Sequence, residues 1–252
     1  MNSPLVNVTV PVFNEEKQLP DSICRLHKFL TGNCEYDFEI VIANNGSTDH
    51  TEEIGLRLSQ DNPRVRLVSM AQRGRGGALR KVWTETTAVI LTYMDVDLST
   101  QLDAFLPMIS SLIEGNFDLA TGSRLHRSST TRRSLRRDVI SRCYNQLARL
   151  ILSTEISDLQ CGFKAITKDA AMRLLPVVED NDWFFDTELL IVAERCAFRV
   201  LDIPVQWTED SDSRVRIIST AWADFKGLLR LRRTCRTGRY NLIANRVHPI
   251  PR

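Results

Sequence analysis

The residues best suited to chemistry in this chain are Asp95 and Asp97, two carboxylates that close the run Ala88-Val89-Ile90-Leu91-Thr92-Tyr93-Met94. That run is apolar, β-branched and of strand length. Strand residues alternate faces, but a chain that turns as its strand ends brings two such side chains together. Paired carboxylates repel unless something positive lies between them, and a hard divalent cation, Mg2+ or Mn2+, meets that need. An isolated Asp-x-Asp also reads as a strand-end residue followed by a helix N-cap. The rest of the chain decides between the two.

Three more polar clusters close apolar runs: Asn14-Glu15-Glu16, Asn44-Asn45-Gly46-Ser47 and Gly122-Ser123-Arg124. Turns are polar for local reasons, so any one of them means little. Four at the carboxyl ends of strands in one α/β sheet face a common edge, where ligands of such sheets bind.

Those clusters need elements to position them. Leu5 to Phe13 reads as a buried first strand, and Glu16 to Leu30 carries apolar residues at helical spacing. Phe38 to Ala43 is a second strand, followed by a turn that caps a helix from about His50 to Ser59. Val65 to Val68 is a third strand. Arg73-Gly74-Arg75-Gly76-Gly77 leads into a helix over Ala78 to Thr87, and then comes the strand before Asp95. Leu102 to Glu114 spaces as a helix and Phe117 to Thr121 as a strand. An Arg-rich connection precedes a long helix near Leu135–Leu152. A strand within Asp158–Ile166, a helix over Trp183–Cys196 and a strand over Arg199–Trp207 follow, with an exposed loop over Glu209–Asp212. This alternation with short connections predicts an α/β fold with a mostly parallel, doubly wound sheet. The expected organisation is one domain over residues 1–212 with a C-terminal helical appendage over 213–252.

With 43% hydrophobic and 25% charged residues in 252, the chain is an ordinary globular one with ample core. A net charge of +2 gives no polycation, so no nucleic-acid partner is expected. The six cysteines are scattered without metal-ligand spacing, which favours reduced thiols in a cytosolic compartment. No signal-peptide pattern opens the chain, and no apolar run approaches the roughly 18 residues of a spanning helix. A protein lying on the cytoplasmic face of a membrane, rather than through it, is the expectation.

In sequence, Pro11-Val12-Phe13-Asn14-Glu15-Glu16, Asn-Gly-Ser-Thr-Asp at 45–49, Arg-Gly-Arg-Gly-Gly-Ala-Leu-Arg at 73–80 and Met94-Asp95-Val96-Asp97 resemble family 2 glycosyltransferases. More narrowly, they are similar to the polyprenyl-phosphate (dolichyl-phosphate) hexosyltransferases. Gly122-Ser123-Arg124, Arg137 with Ser141, Cys161-Gly162-Phe163-Lys164 and Phe185-Asp186-Thr187-Glu188 extend the likeness over roughly residues 5–231. The resemblance implies a GT-A fold, a nucleotide diphosphate sugar donor, a divalent metal and inverting transfer to a polyprenyl or dolichyl phosphate. It places Pro11, Phe13, Asn14 and Glu15 against the nucleoside, Asn44 at the base, and the loop containing Gly76 near the nucleotide. Asp95 and Asp97 carry the metal on the diphosphate. Arg124, Arg137 and Ser141 hold phosphate, and Arg214 stands where relatives place a basic residue on the diphosphate. For the Arg124–Arg142 group a solvated helix face is the other reading. Glu188 or Asp158 orients acceptor or sugar, or else serves as a helix cap or core ion pair.

Two departures carry information. Many relatives have Asp where this chain has Asn44, and a carboxamide can pair with the donor and acceptor of uracil, so a UDP-sugar is expected over GDP-mannose. Mannosyl-transferring relatives often place glutamine where Ser99 stands, which makes Ser99 a candidate metal ligand, through water if at all. The stripe over residues 217–233, with Trp222 and Phe225 backed by arginines, lies in a membrane interface or packs on the catalytic domain. An integral membrane partner is a further expectation. The competing functional readings are GDP-mannose-dependent transfer, transfer to a polysaccharide or glycolipid hydroxyl, and a non-catalytic nucleotide-sugar-binding subunit.

Overall fold

The computed structural model describes residues 5–209 and 217–240. Its main sheet has seven strands in the order β3-β2-β1-β4-β7-β5-β8. These are β1 (Leu5–Val12), β2 (Asp37–Asn45), β3 (Val65–Met70), β4 (Ile90–Met94), β5 (Leu119–Ser123), β7 (Phe163–Thr167) and β8 (Val200–Pro204). Within it β7 runs antiparallel to both its neighbours, and the other pairings are parallel. The carboxyl ends of β1, β2, β4 and β5 therefore share one edge, and β7 starts there. Two three-residue strands, β6 (Thr130–Arg132) and β9 (Gln206–Thr208), pair beyond it.

Helices cover both faces, as a sheet with near-continuous apolar strands requires. On one side lie α1 (Leu19–Asn33), α2 (Thr51–Asp61) and α4 (Phe105–Ile113), packed on the Val6, Val8, Val10 and Val12 face of β1. On the other lie α3 (Arg75–Glu85), α5 (Leu135–Leu152), α6 (Lys168–Leu174), α7 (Phe185–Arg195) and α8 (Ile217–Arg236). The buried polar face of β1 is satisfied internally: Asn7 Nδ2 donates to Glu39 at 2.8 Å, and Thr9 Oγ1 donates to Asn7 at 2.6 Å.

The expected α/β architecture is present, with shifted edges. α1 begins at Leu19, where Pro20 sits in its first turn and needs no intrahelical donor. α3 begins at Arg75, so the glycines expected in a loop lie inside its first turn. α6, seven residues capped by the Thr167 side chain, is too short for periodicity to signal. In the expected appendage, Leu228, Leu231 and Tyr240 join the core containing α3, α5 and α7. The proposed boundary at 212/213, Arg214 and residues 210–212 of the expected loop lie outside the described residues.

Candidate active site

β4 ends at Met94, and the next residues turn sharply, with Leu98 at φ 48°. Asp95 and Asp97 both stand at that turn. Asp97 Oδ1 accepts the Ser99 N–H at 2.9 Å, which leaves its Oδ2 outside that bond. Asp95 meets Arg75 Nη2 at 2.9 Å. Although 45% of the Asp95 side-chain surface is open, the density of protein around it pushes its carboxyl up to about 6. Arg75 opposes that push, and Asp97 and Asp186 add to it. Mutual repulsion of this kind is what a divalent cation relieves.

Asp95 is backed by Gly162. The Asp95 N–H donates to Gly162 O at 3.1 Å, and a Cβ on Gly162 would lie 1.7 Å from Asp95 Oδ2. Only a residue without a side chain leaves that carboxylate its place. Ser99 Oγ is buried and takes no hydrogen-bond partner among the described residues. Those residues hold no group of three His, Cys, Asp or Glu able to bind a metal. Two carboxylates alone suit an ion that takes its other ligands from phosphate oxygens and water, as Mg2+ does. The residues present fit such an ion, and Asp95 and Asp97 would be its protein ligands.

Behind Asp95 lies a charge network that sequence reasoning missed. Arg75, nearly buried, stacks between Tyr93 and Trp183, its guanidinium carbon 4.9 Å from each ring centre, and approaches Asp186 at 3.5 Å. Asp186 also accepts the Tyr93 hydroxyl and faces Lys164 at 3.8 Å. Arg75 Nε is buried with no hydrogen-bond partner among the described residues. Two acids at i and i+2 on a helix face different ways, so periodicity alone could not show which of Asp186 and Glu188 faces the site.

Glu188 is paired with α8. Fully buried, it accepts Arg230 Nη1 and Nη2 at 2.9 and 2.8 Å and the Asp180 N–H at 2.8 Å. Both its oxygens are occupied, as in a core ion pair. Asn44 is likewise 1% exposed. Its Oδ1 accepts the Ser47 N–H at 3.2 Å and its Nδ2 donates to Ser69 at 3.4 Å. These bonds tie it to the β2 turn and to β3. Gly76 is in contact with Phe185, whose Cβ would lie 2.6 Å from an added Cβ, so it serves close packing of α3 on α7.

Asn14 adopts φ 57°, a conformation that asparagine tolerates. Its Oδ1 accepts the Thr48 N–H at 2.8 Å and its own N–H donates to Ser47 at 3.0 Å, binding the β1 and β2 loops together. The Glu15 N–H donates to Thr51 at 2.8 Å. Pro11 and Phe13 stay half-exposed, and the Arg73 guanidinium covers the Phe13 ring at 4.2 Å.

Arg124 is clamped by buried Asp158 through Nε at 2.7 Å and Nη2 at 2.9 Å. Despite burial, the Arg124 charge holds the Asp158 carboxyl down at about 2. Replacing Asp158 by Ala leaves Arg124 uncompensated and is expected to cost about 3–5 kcal/mol of unfolding free energy, read from denaturant titration. Because the folded pKa lies below the ordinary value near 3.9, this stabilisation is present at neutral pH. It is lost as pH falls from about 4 towards 2. Arg137 meets Glu209 at 2.9 Å. Arg133, which the sequence did not single out, has a side chain only 4% exposed. It touches Asp138, and its Nε takes no hydrogen-bond partner among the described residues. Ser141 Oγ is buried and equally unpartnered.

Comparison with known proteins bears on the family and the fold. Residues 7–175 match the glycosyl transferase family 2 model. Glycosyltransferase AglD of Haloferax volcanii is 37% identical over 84% of this chain, which spans only 34% of that relative's length. A dolichyl-phosphate β-glucosyltransferase of Trichomonas vaginalis is 31% identical, with 82% of this chain and 65% of the relative covered. The mouse dolichyl-phosphate β-glucosyltransferase is 30% identical over 94% of this chain and 78% of its own length. Among solved structures, glucosyl-3-phosphoglycerate synthase of Mycobacterium tuberculosis, crystallised with Mn2+, UDP and phosphoglyceric acid, superposes with a TM-score of 0.66 at 17% identity, covering 92% of this chain and 78% of that one. That likeness shows the expected GT-A fold. The chain belongs to glycosyl transferase family 2, among the relatives of the dolichyl-phosphate β-glucosyltransferases.

Proposed function

We propose that this protein transfers a hexose, with inversion, from a UDP-sugar to a polyprenyl or dolichyl phosphate, using Mg2+ or Mn2+. The observation that carries the reading is the meeting of Asp95, Asp97 and Arg75 at the carboxyl edge of the sheet. A cation on the aspartates supplies charge for the departing diphosphate. The Arg75 guanidinium, held against Asp95, adds positive charge to the same place. Half-exposed Pro11 and Phe13 at the end of β1, with Arg73 beside them, offer the nucleoside a flat surface. Arg133, Arg137 and Ser141 at the start of α5 suit the acceptor phosphate.

That acceptor needs no general base, since a phosphate monoester with a second pKa near about 6 is already largely ionised. The structure is consistent with such chemistry: Glu188 is sealed by Arg230, and Asp186 is engaged by Tyr93 and Arg75. Transfer to a neutral hydroxyl would need one of these carboxylates free. Support for UDP comes from relatives named as glucosyltransferases and from fold neighbours crystallised with UDP-glucose. Radiolabelled UDP-glucose and GDP-mannose, each given with polyprenyl phosphate, test the reading. Labelled lipid from UDP-glucose is expected. Lipid from GDP-mannose alone overturns the donor assignment, and no lipid from either overturns the acceptor.

A lipid acceptor also requires access to a membrane. No helix among the described residues is long and apolar enough to cross one. α5 instead exposes Leu135, Val139 and Leu150, and α8 exposes Trp222, with Arg136, Arg142 and Arg149 flanking the α5 stripe. We read these helices as a peripheral contact with the cytoplasmic face, alone or beside an integral membrane partner. Co-sedimentation with anionic liposomes is expected to fall several-fold when Leu135, Leu150 and Trp222 are replaced together by Ser. Undiminished binding removes this contact from the reading.

A further inference from the structure

We propose that α8 is a positioning element for the metal carboxylates: seated against residues 179–188 and Gln160, it sets where Arg75 and Gly162 hold Asp95. The proposal rests on the donor reading above and goes beyond it, because among the described residues no hydrogen bond or ion pair joins α8 to Asp95 or Asp97 directly.

Two routes connect α8 to Asp95. In the first, Arg230 grips the buried Glu188 through both guanidinium ends and reaches Glu179 at 2.8 Å. Glu188 in turn holds the Asp180 N–H, fixing the backbone before α7. Phe184 lies so close to Gly227 of α8 that a Cβ there would sit 2.7 Å from its ring. The opposite side of the same segment meets the start of α3. Asn181 O accepts the Gly77 N–H at 3.0 Å and leaves no room for a side chain at Gly74. Trp183 and Asp186 flank Arg75, which meets Asp95. In the second route, Asp224, buried on α8, accepts Gln160 Nε2 at 2.7 Å. Two residues on, Gly162 takes the Asp95 N–H and backs its carboxylate.

Buried ion pairs contribute little net stability, because desolvation offsets their attraction, yet breaking one leaves a charge that forces rearrangement. The Glu188–Arg230 pair therefore acts on geometry. A shift of α8 is transmitted through side chains packed too tightly to absorb it. Coupling of this kind is reciprocal, so a ligand on the aspartates must also steady α8.

The experiment uses the full chain, UDP and Mn2+, without lipid. On the wild type, UDP with Mn2+ is expected to slow amide hydrogen exchange across residues 222–236 by about fivefold or more, the lower end of ordinary coupling. By calorimetry, Arg230→Gln is expected to weaken UDP–Mn2+ binding about tenfold while far-UV dichroism stays unchanged, and Arg230→Lys to recover part of the loss. Unchanged affinity in a folded Arg230→Gln variant overturns the proposal. So does unchanged exchange in α8 of the wild type, which decides the matter alone if that variant does not fold. Wild-type protein that binds neither UDP nor Mn2+ overturns the donor reading and the proposal with it, whereas tight binding with an unmoved α8 overturns the proposal only.

Discussion

Asp97→Ala is expected to abolish transfer, lowering turnover by about 10³-fold or more while the protein remains folded. The size follows from what a metal contributes to a departing diphosphate, several kcal/mol of charge stabilisation, at 1.36 kcal/mol per tenfold in rate. The structural cost is small. Asp97 gives up one hydrogen bond from the Ser99 N–H, about 1 kcal/mol, and its removal relieves repulsion on Asp95. Rate and fold therefore separate, and the comparison is turnover with UDP-glucose set against the denaturant midpoint of each protein. Calorimetric titration of UDP with and without Mn2+ adds a check that does not depend on the acceptor: the variant is expected to lose the metal-dependent part of its affinity. Retained turnover in Asp97→Ala would falsify the assignment of the pair.

Gly162→Ala is the second large effect, and it changes no group that touches a substrate. The added Cβ would stand 1.7 Å from Asp95 Oδ2 and 2.3 Å from its Cγ, closer than any real contact allows. Because Asp95 is tied at its backbone to Gly162 and at its carboxylate to Arg75, it cannot move aside without breaking one of them. Displacements near 1 Å in a reacting constellation cost on the order of 10²-fold, and that loss in kcat/KM is expected here. Gly32→Ala serves as the control, since a Cβ there meets nothing within 4 Å. Equal activity of the two alanine variants would show that Asp95 is not held in place by Gly162.

How far the sequence reached depends on the kind of information each position carries. Strand β4 and the clusters at strand ends were legible because alternation, apolar length and turn chemistry are local properties. They placed Asp95 and Asp97 just beyond β4, on the edge that the carboxyl ends of β1, β2, β4 and β5 share. Asn44 and Glu188 lay within recognisable motifs, yet their hydrogen-bond partners were not legible there. A motif records which residue types accompany a site. Whether a given polar group faces the cleft or a neighbouring segment depends on partners far along the chain, such as Ser69 for Asn44 and Arg230 for Glu188.

By itself, then, the sequence determined the α/β architecture and the position of the candidate carboxylate pair at the end of β4. Only the tertiary structure decided that Arg75, Asp186 and Gly162 surround that pair, that Arg124 is held by Asp158, and that the C-terminal helix is locked to the segment that meets the start of α3. The physical reason is separation along the chain. Contacts spanning 20, 34 or 42 residues leave no periodic trace, because each requires a close approach that exists only once helices and sheet have packed.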